Sequence, residues 1–307
     1  MQTLLNKVVA QVSGIILGKE REIRLALACL IARGHLLIED MPGVGKTTLA
    51  HVLASVLGLH FNRIQFTSDL LPADILGVSI YEPGSNSFKF HPGPVFTQVI
   101  LADEINRATP KTQSALLEAM EEGQVTVEGV TRKLPDPFFV IATQNPSHQT
   151  GTFPLPESQL DRFLMRITLG YPDQHAERSL LKGSDRRALI ATLTPALEAT
   201  ELLSIQAQVQ QVHVADAALD YLQALLDYSR SSSHYLTGLS PRAGLAALHS
   251  AKAWALMAGR DHVLPEDIQA TLPSVAGHRL RTSEHTYQGG ALPSEPMARL
   301  LSAVPIP

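Results

Sequence analysis

Cysteine is almost missing from this chain of 307 residues, with Cys29 the single example. No intrachain disulfide can form, and a reducing compartment fits. Within the apolar stretch 26–31, Cys29 reads as a small core residue. Long apolar runs are missing too: none reaches the roughly 18 residues needed to cross a bilayer. The opening MQTLLNKVVAQVSGIILGKE lacks a charged leader, a continuous apolar centre and a cleavage site in that order, so no secretory signal is read. A cytoplasmic protein without membrane insertion is expected. Positive charge is not in excess, because the net charge is -4, which disfavours a broadly basic nucleic-acid surface but leaves room for a local basic pore. No two of the 12 histidines stand four residues apart and none is grouped with Cys29, which disfavours zinc. The G-x-S-x-G elbow of hydrolases is absent, as are the Asn-Lys-x-Asp of GTPases and the Leu-Ser-Gly-Gly-Gln of ABC-type ATPases.

What remains is an ordinary globular composition, 45% hydrophobic and 18% charged, with length for about two domains. Its organising stretch is 36–57, LLIEDMPGVGKTTLAHVLASVL. An apolar run, Leu36 to Ile38, leads through Pro42, Gly43, Val44 and Gly45 into Lys46, Thr47 and Thr48. Leu49, Val52, Leu53, Val56 and Leu57 then recur on one face of a helix, and Gly58 supplies its stop. A buried strand, a glycine loop and a helix opening on Lys-Thr frame a nucleotide-phosphate cradle. Backbone N–H groups face the phosphates, the Lys46 ammonium reaches the outer ones, and the Thr47 hydroxyl can ligate Mg²⁺. One residue departs from the pattern: Asp40 stands where the loop's first Gly is expected.

Ahead of the cradle, residues 4–33 read as two helical pieces broken near 13–19. Beyond it, Phe61, Ile64 and Phe66 suit a buried strand. Two hairpins follow from turn residues between β-prone runs, one turning at Pro83 to Asn86 and one at Glu128 and Gly129. Val99 to Ala102 and Phe138 to Ala142 read as further buried strands, flanking a helix that turns Ala115, Leu116, Ala119 and Met120 inward and leaves Glu118, Glu121 and Glu122 as a solvated face. Strands alternating with helices across 36–169 predict a mainly parallel sheet covered on both faces, with ligands at the C-terminal strand ends. After a hinge at Gly170, Tyr171 and Pro172, strand signals nearly vanish. The expected organisation is an α/β nucleotide-binding domain over 1–172, a helical domain over 173–275 and a partly extended tail over 276–307.

Hydrolysis of a phosphoanhydride needs neutralised phosphate charge, an oriented metal and an activated water. Asp103, at the end of an apolar strand, can hold Mg²⁺, and Glu104 beside it can orient or deprotonate the water. Asn145 ends the next strand and can hydrogen-bond the water or the γ-phosphate without adding charge. Gln65, ending the strand after the loop helix, can hold Glu104 in a resting orientation.

DMPGVGKTTLA, ILADEINRA, TQNPSHQTGTFPLPESQLDRF and GLSPRAGLAALHSAKAWALMAGRDHVLPEDI, in that order and over roughly residues 5–275, resemble the MoxR family of AAA+ ATPases. The resemblance implies a P-loop core with a helical lid, ATP and Mg²⁺ as ligands, and a homohexameric ring. It makes Asp103 and Glu104 the Walker B pair and Asn145 sensor one. It makes Arg162 an arginine finger for a neighbouring subunit and Arg242 sensor two, reporting the nucleotide to the lid; Arg107 is a further intersubunit group. The hairpins match the helix-two insert and the hairpin before sensor one, lining one mouth of the ring. The implied role is chaperone-like remodelling or maturation of a client protein or metalloenzyme complex, with a partner bearing a von Willebrand factor A domain, itself sometimes membrane-associated. The rival readings are a nucleic-acid motor, disfavoured by hairpin turns without Lys or Arg, and a nucleotide-gated scaffold without turnover.

Overall fold

The computed structural model describes residues 1–145, 151–182, 186–282 and 294–306. Two amphipathic helices, α1 (Gln2–Ser13) and α2 (Glu20–Ile31), lead into β1 (Leu36–Glu39), α3 (Lys46–Val56), β2 (Phe61–Gln65) and the short α4 (Pro72–Leu76). A hairpin of β3 (Gly77–Glu82) and β4 (Ser87–Pro92) precedes β5 (Val99–Asp103) and α5 (Pro110–Glu122). A second hairpin, β6 (Gln124–Val127) and β7 (Val130–Lys133), is followed by β8 (Phe139–Gln144), α6 (Glu157–Leu160) and β9 (Met165–Ile167).

Five of these strands form one parallel sheet in the order β2-β5-β8-β1-β9. The three central strands are buried along their whole length, which is why they read as continuous apolar runs rather than alternating ones. Their side chains still alternate between faces. Leu36, Ile38, Val99, Leu101, Phe139 and Ile141 point into one core; Leu37, Ile100, Ala102, Val140 and Ala142 point into the other. Each such side chain contributes about 1.5–3 kcal/mol on burial. Cys29 is fully buried in the first core, where burial pushes its thiol pKa up.

The hairpins form where the turn residues placed them. Glu128 and Gly129 both adopt positive φ, 54° and 78°, the geometry that matches a two-residue turn to strand twist. The two hairpins are joined side to side by the Arg132 guanidinium, 3.7 Å above the Phe90 ring.

The remaining chain is mostly helical: α7 (Gln174–Lys182), α8 (Arg186–Ala191), α9 (Ala199–Gln211), α10 (Asp216–Ser231), α11 (Pro241–Met257), α12 (Pro265–Ala276) and α13 (Ser294–Ala303). The fold is an α/β core, a parallel sheet covered by helices, followed by a smaller helical region. Leu202, Leu225, Ala251 and Leu272 share one continuous core with α1, α2 and a face of the sheet. Two details differ from the sequence reading. A small antiparallel pair, β10 (Tyr235–Thr237) and β11 (Arg281–Thr282), appears beyond the hinge. The end of the chain is helical where an extended tail is expected, because Met297 and Leu300 of α13 are buried in the shared core; Gly289, Gly290 and Pro293 lie outside the described residues. Among the described residues, no helix is long and apolar enough to cross a membrane.

Candidate functional site

The glycine loop sits at the C-terminal edge of β1, between β8 and β9 in the sheet. Gly43 and Gly45 hold φ of +87° and +97°, and a Cβ added at either would meet nothing within 4 Å. Glycine is required there by backbone conformation, and the space in front of the loop is open. Gly45 is also the N-cap of α3, so unpaired helix N–H groups and the positive end of the helix dipole face that space, with Pro42 and Val44 in the bend and Thr48 in the first turn of the helix. Lys46 is only 8% exposed. Its ammonium donates to the Asp40 carbonyl, to the Met41 carbonyl at 3.3 Å and to Asn145 Oδ1 at 2.8 Å. All three donors are in use, on neutral acceptors. Burial draws its pKa down, while the carboxylates of Asp40, Asp103, Glu104 and Glu39 oppose that shift.

The acidic pair stands beside it. Asp103 Oδ1 accepts from the Thr143 hydroxyl at 2.6 Å; Oδ2 accepts from Arg63 Nη2 at 2.7 Å and from Thr47 Oγ1 at 3.3 Å. Glu104 adopts a left-handed φ of 56°, a conformation costing of order 1 kcal/mol for a residue with a side chain. Its N–H is fixed by Thr143 Oγ1 at 2.9 Å. Its carboxylate accepts from Asn145 Nδ2 at 3.2 Å, Gln65 Nε2 at 3.0 Å and Arg107 Nη1 at 2.9 Å. One amide, Asn145, therefore touches both the lysine and the glutamate. Among the described residues no group of three or more His, Cys, Asp or Glu suits a metal. The oxygens of Thr47 and Asp103 instead fit a Mg²⁺ ion that takes its remaining ligands from phosphate and water.

Arg162 and Arg242 lie elsewhere. Arg162 Nη2 is 3.1 Å from Glu121 Oε2, and Arg242 Nη2 donates to Glu121 Oε1 at 2.9 Å. Glu121 closes α5 beside Met120, whose carbonyl accepts from His35 at 3.0 Å, immediately before β1. The arginines thus flank the N-terminal edge of the sheet. β1 alone separates that edge from the cradle by about 13 Å. Arg242 stands in the first turn of α11, where the helix dipole disfavours a cation; Glu121, and Asp161 at 3.9 Å, offset this. Asp161 is in turn gripped by the buried Arg279, at 2.6 Å. Arg242, expected to report the nucleotide to the lid, is placed beside Arg162 in a cleft of about 310 Å³.

Asp40 is 6% exposed. Its Oδ1 accepts from the Met41 N–H at 2.7 Å and its Oδ2 from the Gly170 N–H at 2.5 Å. Four contributors escaped the sequence reading: Thr143, Arg63, Glu121 and Asp161. For Arg63 a signal existed, since Arg63 and Gln65 are two apart on β2 and must share a face; Nη2 of Arg63 does donate to Gln65 Oε1, at 2.9 Å.

Comparisons with known proteins place the chain in a family. Residues 35–165 match the model of the ATPase family associated with various cellular activities (AAA), and residues 228–297 match the AAA lid domain. The chain is 44% identical to the uncharacterized protein YeaC of Bacillus subtilis, covering 100% of this chain and 96% of the relative. It is 38% identical to the chaperone MoxR1 of Mycobacterium tuberculosis, covering 99% and 82% respectively. The crystal structure of a putative ATPase from Cytophaga hutchinsonii superposes with a TM-score of 0.88 at 35% identity, covering 100% of this chain and 96% of that one.

Proposed function

We infer that this chain, which belongs to the MoxR family of AAA+ ATPases, is a Mg²⁺-dependent ATP hydrolase whose site is completed by a second copy in a cytoplasmic ring, most simply a hexamer. The observation that carries the reading is Asn145, bonded to Lys46 at 2.8 Å and to Glu104 at 3.2 Å. It holds Lys46, read as the phosphate-binding cation, and Glu104, read as the water-activating carboxylate, at fixed spacing.

ATP is the substrate, its phosphates seated on the loop 42–48 and the first turn of α3. Thr47 and Asp103 would hold Mg²⁺, which would supply charge neutralisation on the phosphates. Lys46 exchanges its neutral acceptors for phosphate oxygens. Thr143 keeps Asp103 and the Glu104 backbone in register. Glu104 takes a proton from the attacking water, which Asn145 orients through its amide. Glu104 is first held by Gln65 and Arg107, so it is released to the water only when those contacts yield. Arg162 and Arg242, too far from their own cradle, supply positive charge to the γ-phosphate of the adjoining copy.

The output is chaperone-like: hydrolysis drives remodelling or maturation of a client protein or metalloenzyme complex, with a von Willebrand factor A domain protein as the expected partner. The exposed side chains of Ile80, Tyr81 and Phe88 on the first hairpin offer a surface to grip such a client. The test is turnover by the concentrated oligomer with Mg²⁺ and ATP. Wild-type protein hydrolyses ATP, and Glu104→Gln binds it with turnover lowered about 10²-fold or more. Wild type no faster than Glu104→Gln would leave a nucleotide-gated scaffold.

A further inference from the structure

Arg242 lies beside Arg162 at the N-terminal edge of the sheet, and a different link joins the phosphate loop to the helical region. Two acidic residues end β1, directly before the loop. Both are buried; Asp40 reaches the crossing from the α/β core into the helices, and Glu39 reaches the end of α12 within the helical region.

Asp40 reaches the crossing directly. Its Oδ2 accepts from the N–H of Gly170 at 2.5 Å, at the hinge after β9, where Gly170 takes a left-handed φ of 62°. Glu39 reaches the helical region itself through Arg166. Glu39 Oε2 accepts from Arg166 Nη1 at 2.7 Å, and Arg166 Nη2 donates to the carbonyl of Gly277, at the end of α12, at 2.7 Å. The Glu39 and Arg166 side chains are 2% and 5% exposed. A buried ion pair adds little net stability over apolar packing, whereas it fixes geometry. A buried carboxylate in place of the loop's usual glycine is likewise costly unless its bonds are needed. Both features therefore specify position more than they stabilise.

The same loop segment also feels the state of the cradle. The Lys46 ammonium donates to the Asp40 carbonyl, to Met41 and to Asn145, leaving no donor for a phosphate. Binding ATP requires Lys46 to give up acceptors, and the Asp40 peptide then loses the cation that holds it. Its side chain is bonded on one side to the loop, through the Met41 N–H at 2.7 Å, and on the other to the hinge.

We propose that Asp40 and Glu39 form a clasp that reports occupancy of Lys46 to the helical lid, with Asp40 as the positioning residue that carries the signal to the Gly170 hinge. The inference rests on the reading of the loop as the ATP site. The two states differ in the acceptors of Lys46, which gives the ligand the differential contact that any coupled change requires.

The experiment is hydrogen exchange on full-length protein with and without a slowly hydrolysed ATP analogue and Mg²⁺, alongside analogue affinity and steady-state kinetics. In wild type, the analogue changes exchange at the hinge and across residues 199–282. Asp40→Gly restores the loop's usual residue, so affinity stays within about threefold, while the lid's response falls by about half or more and kcat drops about fivefold or more with KM little changed. Asp40→Asn keeps the size but can accept from only one of the two N–H groups at a time, and it gives an intermediate response. A lid response of wild-type size in Asp40→Gly that still binds the analogue overturns the clasp. So does a wild type that binds the analogue with no lid response. Failure of wild type to bind the analogue at all overturns the ATP-site reading and the clasp with it.

Discussion

At the C-terminal edge of the sheet, two carboxylates, Asp103 and Glu104, are held by an arginine each and by the neutral groups of Thr143, Gln65 and Asn145. At the N-terminal edge the proportions are reversed: two arginines, Arg162 and Arg242, converge on the single carboxylate of Glu121. The first edge has an open space in front of glycines and a buried lysine, and its arginines, Arg63 and Arg107, are each paired with a carboxylate of their own. The second edge has two arginines for one carboxylate and no phosphate-binding loop. Each carries what the other lacks, and that difference supports the proposal that the site is completed at a junction between two copies.

The comparison breaks most visibly at Arg162. Arg162→Ala removes the charge offered to the neighbouring copy, so turnover falls about 10³-fold while ATP binding at the variant's own cradle is retained; fluorescent-nucleotide binding and phosphate release measured side by side check this. A variant that loses ATP affinity to the same degree would return Arg162 to its own chain's site.

A smaller effect is expected from the residue that orients the pair. Glu121→Gln keeps the shape but frees both arginines from a fixed ion pair, and turnover falls about tenfold, the scale of one charge-assisted hydrogen bond. Because Glu121 and Arg242 are substantially exposed, their pairing weakens as ionic strength rises. Wild-type turnover should therefore fall with added salt more steeply than that of Glu121→Gln.

Without direct effect on turnover, and acting on stability instead, is His35 at the same edge. Its Nε2–H donates to the Met120 carbonyl and its Nδ1 accepts from the Val140 N–H, which is the neutral ring. Burial lowers its pKa from 6.5 to about 4. Above pH 6.5 both folded and unfolded chains carry the neutral ring, and its stability contribution is fully present. As pH falls from 6.5 toward about 4, only the unfolded chain takes up the proton, so stability is lost, in total on the order of 3 kcal/mol. Burial shifts His278 in the same direction. Thermal unfolding between pH 7 and pH 4.5 should show Tm falling with acid, with a shallower slope in His35→Gln; a flat profile would mean these rings are not buried neutral.

Much of the cradle edge is legible in the chain because its pieces are local. Leu36 to Ile38, Val99 to Ala102 and Phe139 to Ala142 are unbroken apolar runs, and each ends on a polar residue that the parallel sheet carries to the same edge. Gly43, Gly45, Lys46 and Thr47 are contiguous, so one loop brings them together. The arginine edge is less legible, since it depends on how α11 docks against α5, a contact between residues 121 apart in the case of Glu121 and Arg242. Periodicity could show that Glu121 leaves the core, and could not show that two arginines wait for it. Asp40 was visible as an anomaly in the loop, but its partner Gly170 lies 130 residues away. The tail misled for a related reason: its prolines and glycines suggest extension, while burial of Met297 and Leu300 in a core built by other elements makes α13 a helix.

The central claim, that the two edges complete one site only across two copies, is tested most directly by mixing two inactive variants. Lys46→Ala spoils the cradle and keeps the arginines; Arg162→Ala keeps the cradle and spoils the arginine edge. Each alone should hydrolyse ATP at background. Mixed under conditions that let subunits exchange, they should regain hydrolysis wherever the cradle of an Arg162→Ala subunit meets the Arg162 of a Lys46→Ala subunit. Background turnover in every mixture, from variants shown to co-assemble, would contradict the account.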